Sequence, residues 1–267
     1  MRTVLAALDI SPAARPVLET ALGISKLMGA TVEAIHVREK SGEVPAAIAE
    51  HSGVALRVVD GPVEGGLLSA LADPNVIAGV FGARRTTSGP RPVGRTALHI
   101  LERASKPVAV VPPEAVCVSP RPFRRLLVPL EGSEQSARPL AEDLSPLILD
   151  DVELVVLHVF TTSTVPPVLD HPGWDLPMWG DEFLARFCPN ASRIDLRTGA
   201  VASGVTEACT EMNGDLIVLS WSQDVSPGHA AVVRDVLARA AVPVLLLPTN
   251  AAVTIGVDAP SVNARRR

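Results

Sequence analysis

The feature that most constrains this chain is an internal duplication. Leu5, Leu8, Asp9, Ser11, Leu18, Leu22, His36 and Val37 have counterparts at Leu127, Leu130, Glu131, Ser133, Leu140, Leu144, His158 and Val159, each 122 residues further on. The run Pro107-Val108-Ala109-Val110-Val111-Pro112 returns as Pro243-Val244-Leu245-Leu246-Leu247-Pro248. A period of roughly 120 residues is too long for a solenoid unit and is the size of a duplicated domain. The expected divisions are 1–113 and 124–250, joined by a linker at 114–123 with Pro120 and Pro122, and followed by a disordered tail at 251–267.

Each copy alternates short apolar runs with segments of helical periodicity. In the first copy, residues 3–8, 31–37, 54–59, 76–81 and 108–111 read as strands. Val17, Leu18, Ala21, Leu22, Ile24 and Leu27 fall near helical spacing, with Ser11 before Pro12 as the expected cap. Met28-Gly29 should end that helix. Residues 61–72 and 95–104 read as the next helices, and 38–53 as irregular. In the second copy the strands fall at 126–130, 153–160, 192–196, 216–219 and 244–247, and the helices at 139–149, 201–212 and 232–240. Strands that are apolar on both faces and alternate with helices indicate two doubly wound, mostly parallel five-stranded α/β sandwiches in tandem. The last strands, at 108–111 and 244–247, are suited to pair edge to edge, which would make an intrachain pseudo-dimer. Association of whole chains into a homodimer is left open.

Composition removes several functional classes. Aromatic residues are 3% of the chain and Tyr is absent, so the cores are aliphatic and base-stacking platforms are disfavoured. Residues 1–115 carry 12 basic against 11 acidic side chains, and residues 124–250 carry 8 against 17, so neither half offers the basic stripe nucleic acid requires. Cys117, Cys188 and Cys209 are far apart and show no metal spacing, which suits reduced thiols in a cytoplasmic protein. No run approaches the ~20 apolar residues of a membrane span, and no secretory signal opens the chain.

In open parallel sheets, ligands sit beyond the carboxyl ends of the strands at the switch point. In the first copy that places Asp9-Ile10-Ser11 opposite the segment from Gly82 to Thr96. This segment combines Gly82, Gly89 and Gly94 with Arg84, Arg85, Arg91 and Arg95, and Arg95-Thr96 open a helix. Glycine amides, a helix N-terminus and guanidinium groups are the parts of an anion site. The competing reading is a solvated face whose arginines pair with Glu50, Asp73 or Glu102. His36 and His158 read as hydrogen-bonding strand ends, and Ser11 and Ser133 as helix caps, since no nucleophile elbow surrounds either serine. Trp174 and Trp179, in the excursion at 161–188, read as core or cover for the second copy, with a binding surface as the alternative. No metal pattern and no catalytic group is evident.

The ordered set (strand, Asp-x-Ser, helix, a second strand ending His-Val, a glycine loop after the fourth strand, Lys106-Pro107-Val108-Ala109-Val110-Val111) resembles the universal stress protein family over 3–112 and again over 124–248. The resemblance implies an adenine nucleotide alpha hydrolase-like fold and a non-enzymatic regulatory role. In ATP-binding members G-x2-G-x9-G-(S/T) follows the fourth strand. Here Gly82 fits, Arg85 replaces the second glycine, and Gly94 comes one residue early with Arg95 before Thr96. Asp9 stands at the acidic position near the adenine, and Val37 at the position whose backbone lines that pocket. The resemblance thus implies an altered ATP site formed by Asp9, Ile10, Ser11, Val37, Gly82, Arg84, Arg85, Gly94, Arg95 and Thr96. In the second copy Glu131, Ser220-Trp221 and Ala230 replace Asp9, Gly82-Ala83 and Gly94, so no nucleotide is expected there. The alternatives are a nucleotide-free interaction scaffold and a weak ATP hydrolase, although no Walker-type motif is present.

Overall fold

Ten strands join in one sheet because both faces of nearly every strand are apolar. The structure, a computed structural model, describes residues 1–39, 43–83, 93–112, 115, 122–144, 151–161, 176–224 and 230–249. The first half runs β1 (Thr3–Ala7), α1 (Ala14–Leu27), β2 (Thr31–Arg38), α2 (Ala46–His51), β3 (Ala55–Asp60), α3 (Val63–Leu71), β4 (Val76–Gly82), α4 (Arg95–Arg103) and β5 (Val108–Val111). The second runs β6 (Arg125–Pro129), α5 (Glu134–Pro139), a π turn (Leu140–Leu144), β7 (Glu153–Phe160), α6 (Leu176–Phe187), β8 (Arg193–Thr198), α7 (Val201–Glu211), β9 (Leu216–Trp221), α8 (Ala231–Arg239) and β10 (Val244–Pro248).

The strand order is β3-β2-β1-β4-β5-β10-β9-β6-β7-β8. Pairing is parallel within each half, and β5 meets β10 antiparallel with Val110 opposite Val244 and Val108 opposite Leu246. The central strands are buried along their length, whereas the edge strands β3 and β8 are half-exposed and charged, with Arg57 and Asp60 on one and Arg193, Asp195 and Arg197 on the other. Charge on an edge discourages pairing with a further strand.

Alternation along each strand divides the core into two layers. Leu5 and Leu127 face the layer that holds α3, α4, α7 and α8. Val4 and Leu126 face the layer that holds α1 and α6. Both layers continue from one half into the other. Each fully buried aliphatic side chain of this size contributes about 1.5–3 kcal/mol.

Two helix starts differ from the sequence expectation. Helix α1 begins at Ala14 and its cap is Ala13, not Ser11. The Ser11 hydroxyl instead donates to the Asp9 carboxylate. Helix α5 begins at Glu134 rather than Pro139, because Ser133 caps it by accepting from the Ser136 amide at 3.2 Å. Pro139 then lies inside the helix, where it supplies no amide donor, and the chain widens into the π turn. A short helix, α2, also stands where an irregular segment was expected. At the end of α1 the reading holds: Met28 is the cap and Gly29 follows at φ 57°, a conformation that favours glycine.

Candidate functional site

In the first half the sheet order reverses at β1, which lies between β2 and β4. A cavity of about 940 Å³ opens at the carboxyl ends of these strands. That is large enough for a nucleotide-sized ligand.

Its walls are built by short-range geometry. After β1 the Asp9 carboxylate accepts from the Ser11 amide at 2.9 Å and the Ser11 hydroxyl at 2.5 Å, which folds the turn toward α1. At the end of β2, Nδ1 of His36 lies 2.8 Å from the Leu8 carbonyl. A carbonyl only accepts, so Nδ1 carries the proton in this contact. After β4 the Ala83 amide donates to Val111 and the Gly94 amide to Ala83, at 2.8 and 2.7 Å, so the start of α4 is tied to the end of β4. Gly94 caps α4 with no side-chain acceptor. The first amides of α4 therefore lack intrahelical partners, and Arg95, Thr96 and Ala97 line the cavity.

Of the residues singled out in the sequence, Asp9, Ile10, Val37, Gly82, Gly94, Arg95 and Thr96 line this one cavity. Ser11 is not among its lining residues and acts on Asp9 instead. Arg84 and Arg85, with Gly89 and Arg91, lie outside the described residues. His36 does more than the strand-end role assigned to it, since it also lines the cavity.

Arg38, Glu39, Glu43 and Glu64 line it too and were not anticipated. Gly61 and Pro62 lead into α3, the helix that carries Glu64. The Arg95 partner also differs from expectation. Its Nε lies 3.9 Å from Glu64, not beside Glu50, Asp73 or Glu102, and the other Glu64 oxygen is 3.7 Å from His99. Arg38 holds Asp60 through two contacts of 2.7 and 3.1 Å. This hydrogen bonding lowers the Asp60 carboxyl below its ordinary range and raises Arg38. Among the described lining residues, the carboxylates Asp9, Glu39, Glu43 and Glu64 outnumber Arg38 and Arg95.

The matching place in the second half is covered by aromatic rings. His158 repeats the His36 contact, with Nδ1 2.8 Å from the Leu130 carbonyl. Its ring, however, packs against Phe160, Trp179 and Phe183 at centroid distances of 4.7, 5.2 and 5.0 Å. Phe160 and Trp179 are 5.0 Å apart, and Phe183 and Phe187 are 4.8 Å apart. Phe183 also lies over Gly132, where an added Cβ would sit 3.0 Å from its ring. Gly132 has φ 89°, a second reason for glycine there. Gly132, His158 and Phe160 are the counterparts of Ile10, His36 and Arg38, which line the first cavity. Trp179 therefore serves as core and cover for the second half, and Trp174 lies outside the described residues. Burial lowers His158 below the ordinary histidine range. Burial also raises Cys188 to about 11 and Cys209 to about 12, so both free thiols stay protonated at neutral pH.

Among the described residues no group of three or more His, Cys, Asp or Glu is placed to hold a metal, and no helix is long and apolar enough to cross a membrane.

The fold and cleft define the class: duplicated, mostly parallel α/β domains with a ligand-sized opening at the switch point. Residues 122–248 match the universal stress protein family. No curated protein matches the chain. A universal stress protein from Archaeoglobus fulgidus superposes with a TM-score of 0.65 at 17% identity, over 92% of this chain and 96% of its own. A protein of unknown function from Pseudomonas aeruginosa gives 0.64 at 13% identity, over 93% and 92%. At these identities the likeness establishes the fold, here across both halves.

Proposed function

We propose that this is a non-enzymatic regulatory protein of the universal stress type that binds one adenine nucleotide in the first-half cavity. The second half is the unliganded partner in this reading. The observation that carries it is the convergence of Asp9, Val37, Gly82, Gly94 and Thr96 on one cavity of about 940 Å³. Asp9 and Val37 stand where the family resemblance puts the adenine. The first amides of α4, which have no intrahelical acceptor, provide the partial positive charge for a phosphate. Cover of the second cleft by Trp179 and Phe183 supports a single site. Free, buried Cys188 and Cys209 fit a reducing, cytoplasmic setting.

The test is direct. ATP at about 100 times its dissociation constant should stabilise the chain by about 2.7 kcal/mol. No thermal shift with ATP, ADP, AMP or cyclic AMP, and no adenine nucleotide released on denaturation, would remove the proposal. The excess of carboxylates along the described wall favours a second reading, a nucleotide-free scaffold that uses the cleft for a cationic partner. Slow phosphate release that disappears in Asp9→Ala would instead show a weak hydrolase.

A further inference from the structure

We propose that Trp221, at the end of β9, and Gln223, just beyond it, form a positioning clamp on α4. It sets the geometry of the first-half cavity from the other half of the chain. The proposal rests on the reading of that cavity as the ligand site.

Trp221 occupies the position that Ala83 holds in the first half. Its indole Nε1 donates across the junction to the Leu101 carbonyl at 3.0 Å. Two residues on, the Gln223 amide donates to the Ala104 carbonyl at 2.6 Å. Both acceptors lie at the end of α4, where helix carbonyls run out of internal partners. Trp221 is 4% exposed and shares a core layer with Ile100, Leu101 and Ala104. Gln223 is held at φ 64°, a conformation uncommon for a residue with a side chain, and this aims its amide at α4.

Helix α4 is a short rigid rod. One end is gripped by Trp221 and Gln223, and the other presents Arg95, Thr96 and Ala97 to the cavity. The reverse grip cannot be made from the matching position, because Ala83 has no side-chain donor. Trp221 and Gln223, at the place where the second half would cradle a phosphate, thus orient the helix that does so in the first.

The test uses the full chain carrying Gln223→Ala or Trp221→Phe, each of which removes one donor. Hydrogen exchange across 93–104 in the free protein should rise in both variants, while 76–82 is unchanged. ATP affinity by calorimetry should fall roughly three- to tenfold, the effect of one net hydrogen bond, with stoichiometry unchanged. Val205→Ala is the stability control, since α7 packs on β6, β7, β8 and α8. It should lower the melting temperature and leave ATP affinity intact. Unchanged exchange at 93–104 in both clamp variants would overturn the proposal, as would an equal loss of affinity in the control. If the wild-type chain binds no ATP, the nucleotide reading fails, and the exchange result still decides whether the clamp exists.

Discussion

The two halves place the same histidine on the same carbonyl and then treat the space beside it in opposite ways. His36 borders an open cavity, whereas His158 is buried under Trp179, Phe183 and Phe160. The β2 to α2 connection in the first half leads to a helix of only six residues, while α6 in the second half has twelve. The longer helix carries Trp179, Phe183 and Phe187 at four-residue spacing, so the three rings fall on one face and close the cleft. One scaffold can therefore be open or shut according to a single insertion between its second and third strands.

The largest effect that would sharpen this contrast is on stability. Phe183→Ala should cost about 3–5 kcal/mol in denaturant unfolding, because it removes a ring from the buried aromatic cluster. It should create no nucleotide site, since Ser220 and Trp221 still replace Gly82 and Ala83. Nucleotide binding gained by this variant would mean that the rings alone make the difference.

Next in size is a matched pair of carboxylates. Asp9 and Glu131 each accept from the serine hydroxyl two residues on. Asp9→Ala and Glu131→Ala therefore remove the same local contact. We expect Asp9→Ala to lower nucleotide affinity by at least about tenfold, or 1.4 kcal/mol, and Glu131→Ala to leave it unchanged. Equal losses measured by calorimetry would break the comparison.

A smaller effect concerns pH. Burial lowers the folded-state His158 below its unfolded value. The unfolded chain then binds the proton more readily, so this contribution is fully present above about pH 6.5 and is lost as pH falls through the lower folded value. Stability measured from pH 8 to pH 5 should decline less in His158→Gln, which retains a donor for the Leu130 carbonyl, than in the wild type. The smallest expected signal is from the thiols. With Cys188 raised to about 11 and Cys209 to about 12, neither should react with a disulfide reagent in the native chain at pH 8.

Much of the scaffold was legible because parallel strands buried on both sides read as unbroken apolar runs. The runs at 76–81 and 216–219 became β4 and β9 with one or two residues added. The reading of Ser133 as a helix cap holds, and the cap starts α5 at Glu134 rather than at Pro139. Asp9, Gly94 and Thr96 could be picked out because turn and helix-start residues have local signatures. Glu39, Glu43 and Glu64 could not, since they reach the cavity only through the pairing of β2 with β1 and the docking of α3. The Trp179, Phe183 and Phe187 spacing was present in the sequence, but its target, the ring of His158, is set by the register of β7.

The central claim is one ligand site, in the first half. Photolabelling with an 8-azido adenine nucleotide, followed by peptide mapping, tests it most directly. One label per chain is expected, on peptides carrying Asp9, Val37 or residues 82–96. Label on peptides spanning 216–232, or one label in each half, would contradict it.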